Sequence, residues 1–411
     1  PREILGTYHL PAFDRALRAV HFPKTLGEAE ASRKRFAFEE IFFIQLDRQR
    51  ERKKLERERA IRIETHTDLT KRFVGSLPFA LTNAQRKAIW QVLQDFKKPH
   101  PMARLLEGDV GSGKTLVAAA CALNVVASGY QVAYMAPTEI LARQHFEEFI
   151  RRLAPFKIRI GLLTSSEARK FPSKVHPKTS THISKSQLLK WCLNGEIQIL
   201  IGTHALIEER VKFKKLAFAI VDEQHRFGVE QRRAATKGIR PHFLSMSATP
   251  IPRTLALTIY GDLDLTVLDE MPPGRMPVET NVISPRERER TYEFIREEVG
   301  RGGQVFVICP RIEDPKAVAG NLAPDTYHLT PQSQAKLDWS EVKSVKAEFK
   351  KLSKDVFPDL RVGLVHGKLK PKEKEAVMRK FKHHELDILV STSVVEVGVD
   401  VPNASIMMIE G

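Results

Sequence analysis

Residues 103–127, ARLLEGDVGSGKTLVAAACALNVVA, decide the fold class of this chain. The stretch passes from a short apolar run, Arg104 to Glu107, into the loop Gly108, Asp109, Val110, Gly111, Ser112, Gly113, Lys114 and Thr115, and then into a run of helix formers. The loop fits G-x-x-x-x-G-K-[ST] in the context that pattern needs, after a strand and before a helix. Its glycines allow a nest of backbone N–H groups to face phosphates; Lys114 supplies charge to the β- and γ-phosphates, and Thr115 can hold Mg²⁺. ATP and Mg²⁺ are the expected cofactors.

Around this core, short apolar runs recur, each followed by a turn and a helix-like segment, as in a parallel sheet built from βα units. Strands are expected at Arg104 to Glu107, Gln131 to Ala136, Ile197 to Ile201, Leu216 to Val221 and Phe243 to Ser247. Ligands of open α/β sheets bind beyond the carboxyl ends of the strands. A phosphate loop also needs carboxylates for the metal and the attacking water, and LAFAIVDEQH supplies them at such an end. Asp222 is expected to hold Mg²⁺ and Glu223 to orient or deprotonate water, with Gln224 and His225 sensing the γ-phosphate. An acidic pair after a strand is often only a helix cap; beside the phosphate loop it reads as catalytic.

The Pro- and Gly-rich stretch Met271 to Val278, MPPGRMPV, breaks the rhythm and reads as a linker. A second βα series follows, with strands expected at Gln304 to Cys309, Arg361 to Val365, Leu386 to Ser391 and Ala404 to Ile409. Before the first series, Glu28 to Ile61 lacks Gly and Pro and predicts one long helix, whose patch Phe36, Ile41, Phe42 and Ile44 is expected to pack on a neighbouring domain. Its end is basic: eight Lys or Arg stand against three Glu from Arg48 to Arg62. The expected division is a helical segment at 1–75, an ATP-binding domain at 76–271, a linker at 272–276 and a partial second domain at 277–411.

Length makes two or three domains the expectation, since 411 residues exceed one ordinary hydrophobic core. No apolar run spans a bilayer, and the first residues carry no secretory signal pattern. Three distant cysteines support neither a zinc site nor a disulfide framework, so a reducing cytoplasm is expected. The net charge of +16 favours polyanionic partners.

GDVGSGKT followed by DEQH resembles motifs I and II of superfamily 2 helicases and translocases, and further segments resemble the other motifs in order. LPFALTNAQ resembles the Q motif, which implies Gln85 as adenine reader and Phe79 as a stacking partner. APTEILARQH, ending at His145, resembles motif Ia, and GTHAL, Gly202 to Leu206, motif Ib; both imply contact with the nucleic-acid backbone. SATPIPRT, with Ser247 and Thr249, resembles motif III. VFVICPRIE resembles motif IV, HGKLKPKEKEAVM the nucleic-acid-facing IVa, and STSVVEVGVDVP motif V, which implies that Gly398 and Asp400 approach the nucleotide from the second domain.

Longer phrases, DEQHRFGVEQR, TPIPRTLALTIYGDLD and PPGRMPVET, resemble the bacterial members that remodel branched DNA, as does PREILGTYHLPAFDRALRAVHFP at the start. The resemblance implies two RecA-like domains working as an ATP-dependent double-strand DNA translocase on forks and junctions in recombination and repair, acting as a monomer. Nothing matches the arginine-bearing motif VI, or the OB-like wedge that grips a branch point. A motor cut short is therefore expected, which binds ATP and hydrolyses it poorly. Residues 166–190, rich in Lys and Ser, are expected to form a flexible surface loop. An RNA helicase motor and a non-hydrolysing, nucleotide-dependent DNA-binding scaffold are the rival readings.

Overall fold

The computed structural model describes residues 2–173, 176–208, 210–222, 240–248, 263–272, 278–309, 345–392, 401 and 403–410. The chain divides into two compact units, Pro1–Arg275 and Met276–Gly411.

The first unit opens with helices α1 (Arg2–Thr7), α2 (Phe13–His21) and α3 (Leu26–Glu56). Thr25 starts α3 by accepting the Glu28 N–H at 3.2 Å, the usual way of satisfying an orphan donor at a helix start. Its 31 residues make a rod of about 46 Å. The apolar patch expected on this helix divides. Phe36 meets Phe13 of α2 edge-on at 6.0 Å and Phe42 stacks on Phe38 at 6.1 Å, whereas Ile41 and Ile44 are exposed. The helix also stops at Glu56, short of the expected Ile61. Backbone pairing ends it, because Ala60 N–H donates to Pro99 O at 3.0 Å and Ile63 N–H to Phe96 O at 2.9 Å, which requires extended chain.

Helices α4 (Thr67–Gly75) and α5 (Asn83–Asp95) precede β1 (Ala103–Gly108), α6 (Lys114–Ala127), β2 (Gln131–Met135) and α7 (Glu139–Leu153). Next come β3 (Ile160–Leu163), β4 (Ala168–Phe171), β5 (Thr181–His182), α8 (Lys185–Leu193), β6 (Ile199–Gly202), β7 (Leu216–Asp222), β8 (His242–Ser247) and β9 (Asp264–Leu268). The described strands form one sheet in the order β5-β4-β3-β6-β2-β7-β8-β1-β9. Pairing is parallel from β3 through β9. Helix α6 is buried over nearly its whole length, as its all-round apolar sequence requires.

Residues 166–190 correct an expectation. Instead of a loop, they hold β4 and β5, an antiparallel extension of the sheet edge, and the start of α8. Apolar positions at Ala168 and Phe171 are buried, and the Lys170 ammonium lies 4.1 Å from the Trp191 ring centre. Lys170 thus lies over an aromatic ring, so a lysine-rich composition can resemble that of a loop while belonging to a strand.

The second unit contains α9 (Arg288–Gly300), β10 (Gln304–Cys309), β11 (Val362–Val365), α10 (Pro371–Lys382), β12 (Ile388–Thr392) and β13 (Ala404–Ile409). Its described strands order as β11-β12-β10-β13, all parallel. Asp387 fixes the entry to β12 by accepting from Arg361 through the backbone N–H at 2.8 Å and through Nε and Nη2 at 3.0 and 2.6 Å.

Candidate active site

Register places the site. Gly108 ends β1 opposite Leu268 of β9, Glu107 pairs with Ser247 of β8, and Asp222 of β7 pairs with Met246 of β8. The phosphate loop, Asp222 and Ser247 therefore share the carboxyl edge of the first sheet.

In the loop, Gly111 and Gly113 adopt φ of 80° and 93°, a region that costs other residues roughly 1–2 kcal/mol. A side chain at Gly113 would also run into the Gln85 amide. Lys114 begins α6, where a cation opposes the helix dipole. Its ammonium instead folds onto the carbonyls of Gly108 at 2.6 Å and Asp109 at 3.0 Å. An anion above the loop would turn that unfavourable position into a favourable one. The Ser112 hydroxyl is buried with no hydrogen-bond partner among the described residues, as a group that would donate to a phosphate oxygen would be. Asp109 and Val110 form the exposed tip, where Asp109 Oδ1 accepts the Val110 N–H at 2.7 Å, and Thr115 follows in the first turn of α6, half-buried. Glycine nest, lysine, serine hydroxyl and helix start together fit a nucleotide phosphate chain.

Asp222 is 8% exposed, and two side chains from neighbouring elements hold it. His145 Nε2 lies 2.8 Å from Asp222 Oδ2, and Tyr134 O–H donates to the same oxygen at 3.4 Å. The pattern is that of a metal carboxylate oriented from behind. Sequence reasoning missed both holders and expected motif Ia, His145 included, to touch nucleic acid. The signal was there: His145 falls among Leu141, Ala142, Phe146 and Phe149 on the buried face of α7, an unusual place for an imidazole without a polar partner.

Gln85 lies 3% exposed, joined to the phosphate loop. Its Nε2 donates to Ser112 O at 2.8 Å. Its Oε1 accepts the Thr82 N–H at 3.0 Å while Thr82 Oγ1 accepts the Gln85 N–H at 3.2 Å, a capping box for α5. Phe79 is 43% exposed, and the Arg152 guanidinium of α7 sits 5.2 Å from its ring centre. Glu223, Gln224, His225, Thr249, Gly398 and Asp400 lie outside the described residues.

At the carboxyl edge of the second sheet, His366, Ser391 and Thr392 are buried, and His366 Nδ1, Ser391 Oγ and Thr392 Oγ1 lack hydrogen-bond partners among the described residues. Burial, and then Lys346, Lys374 and Lys368, hold the His366 imidazole below its ordinary range. Unpaired buried donors beside a lysine cluster suit an anionic ligand.

Comparison with known proteins follows the same division. Residues 82–258 match the DEAD/DEAH box helicase family and 288–411 the helicase conserved C-terminal domain. All of the chain aligns with the ATP-dependent DNA helicase RecG of Synechocystis at 42% identity over 413 residues, covering 45% of that protein. With the RecG of Thermotoga maritima the identity is 43% over 411 residues, again all of this chain and 48% of the relative.

The chain belongs to the RecG helicase family. It spans about half the length of these relatives. A solved RecG bound to a three-way DNA junction superposes with a TM-score of 0.77 at 40% identity, covering 99% of this chain and 49% of that one. The two units of this RecG-family chain are the two RecA-like helicase domains, with helices preceding the first.

Proposed function

We propose that this chain is the motor of an ATP-dependent DNA helicase that translocates on double-stranded DNA and remodels forks and Holliday junctions in recombination and repair. The carrying observation is the pairing, on one sheet edge, of a phosphate loop around the Lys114 ammonium with a carboxylate held from behind by His145. ATP with Mg²⁺ supplies the phosphoryl group and its counter-charge. Lys114 and the loop N–H groups hold the phosphates; Thr115 and Asp222 would hold the metal, which would supply counter-charge to the phosphates. Glu223 takes the proton of the attacking water, and Gln224 and His225 report the γ-phosphate to the DNA side. Gln85 and Phe79 read the adenine, and Gly398 and Asp400 approach the nucleotide from the second domain.

Within this reading, 76–271 and 277–411 are the motor domains, 272–276 their linker and 1–75 a helical segment. The net charge of +16 suits a DNA backbone. No helix among the described residues is long and apolar enough to cross a membrane; we place the protein in the cytoplasm, acting as a monomer. The test is nucleotide binding by this chain and its Lys114→Ala variant, together with ATP turnover, with and without forked DNA, of an intact version as long as the RecG relatives. The expected result is DNA-stimulated turnover and loss of tight nucleotide binding in the variant; unstimulated turnover refutes the motor, and unchanged affinity refutes the phosphate loop.

A further inference from the structure

Edge strand β9 joins three features that sequence reading treats as separate. Period-two alternation puts Asp264, Thr266 and Leu268 on one of its faces. At the first position, Asp264 Oδ1 accepts from Arg52 Nη2 of α3 at 3.0 Å, and Asp264 Oδ2 lies 3.8 Å from Arg104 Nη2 of β1. At the second, Thr266 Oγ1 accepts from Arg104 Nη1 at 2.7 Å and donates to Gln91 Oε1 of α5 at 2.7 Å. Arg104 itself is buried and donates through Nε to Asp95 at 2.8 Å. At the third, Leu268 closes against the phosphate loop so tightly that a Cβ on Gly108 would lie 2.9 Å from Leu268 Cβ. Two residues on, Glu270 Oε2 accepts the Asn83 N–H at 2.8 Å, at the start of the helix whose Gln85 grips Ser112.

We propose that β9 is a strut coupling helix α3 to the nucleotide loop, and that Asp264 is its positioning residue, with Arg52 as the contact on the helix side. The inference rests on the nucleotide reading of the loop. The segment after α3 is pinned independently, through Ala60 and Ile63 to the backbone of Pro99 and Phe96. Arg52 lies just before that pin, one turn from the end of α3, so its hold on Asp264 sets how the rod leaves the sheet. A shift at Gly108 as phosphate enters moves Leu268, and the ladder hands that shift to Asp264, since β1 and β9 pair along their length. Packed elements carry such shifts as rigid pieces.

The Arg52–Asp264 pair is partly exposed, with side chains 40% and 34% accessible. Pairs of this kind transmit little, so the expected effect is about two- to fivefold. The experiment is amide hydrogen exchange on the full chain, with and without Mg²⁺–ADP, for the wild type, Arg52→Gln and Arg52→Lys. The proposal expects nucleotide to protect the loop at 108–115 and to slow exchange over residues 45–56 by that factor. Arg52→Gln should keep the loop response and lose the helix response, and Arg52→Lys should restore it; a purely structural contact would alter exchange equally in both nucleotide states. Loop protection with no response at 45–56 in the wild type overturns the strut, as does an intact helix response in Arg52→Gln. Absence of protection at 108–115 overturns the nucleotide reading and the strut with it.

Discussion

Lowering the pH should loosen the first unit through one imidazole. His242, at the start of β8, is fully buried; its Nδ1 accepts the Met102 N–H at 3.1 Å, so Nε2 carries the proton that it donates to Ile61 O at 2.7 Å. The Phe96 ring lies 5.0 Å away. Burial pushes the imidazole from its ordinary 6.5 down to about 4. Between those values the unfolded chain binds a proton that the folded chain refuses, so the contribution is complete above pH 6.5 and is lost as pH falls toward 4. The full loss is about 3 kcal/mol, and the part already lost at pH 5 relative to pH 8 is about 2 kcal/mol. His242→Phe removes the titration and leaves Met102 N–H and Ile61 O unpaired, which costs about 1–3 kcal/mol for each group at pH 8. Urea unfolding of wild type and variant at both pH values checks the reasoning. The stability gap between them should shrink by about 2 kcal/mol from pH 8 to pH 5; a constant gap refutes the neutral, buried imidazole.

Three further outcomes follow from the site and its supports. His145→Phe deletes the hydrogen bond that orients Asp222, and steady-state assays on an intact version as long as the RecG relatives should show Mg²⁺-dependent ATP turnover falling about 10- to 100-fold, with an unchanged circular dichroism spectrum. Gly113→Ala puts a methyl group at φ 93° against the Gln85 amide; a melting experiment should register a loss of at least about 1–2 kcal/mol, and calorimetry a weaker nucleotide affinity. Arg104→Met removes one of two cations from the buried Asp95 carboxylate, leaving Lys98 at 2.6 Å, and should cost about 1.5–3 kcal/mol in chemical denaturation, part of it recovered when Asp95→Leu is added.

Much of this architecture is legible in the sequence because the inner parallel strands, buried on both faces, write themselves as continuous apolar runs. Gln304–Cys309 and Ala404–Ile409 fall on the expected limits, and the strands carrying Gly108, Asp222 and Ser247 within a residue or two. The phosphate loop is equally plain, since its geometry demands glycine, lysine and hydroxyl at fixed spacing. What escaped notice depends on contacts remote in sequence. β9 is five residues with one exposed apolar position, Val267, and its polar members Asp264 and Thr266 gain meaning only from Arg52 and Arg104. β4 hides among lysines because one of them lies over Trp191. Helix α3 ends at Glu56 with no Gly or Pro to announce it, since what ends it is a backbone partner some forty residues on, at Phe96 and Pro99.

The same distinction separates two kinds of site residue. In the proposed function Lys114 and Asp222 touch the reacting groups directly, so chemistry constrains their identity and spacing. Tyr134 and His145 hold Asp222, and Gln85 also holds the phosphate loop through Ser112; a holder has to satisfy only geometry. His145 is nonetheless the one that a sequence could betray, because a buried imidazole on an otherwise apolar helix face must have a partner, and the acid at the end of an adjacent strand can supply it. Treating such misplaced polar residues as pointers extends the reading from the groups that react to the groups that aim them. By that rule Arg104, a cation alone in the apolar strand leading to the phosphate loop, points to Asp95 and Thr266 and hence to β9.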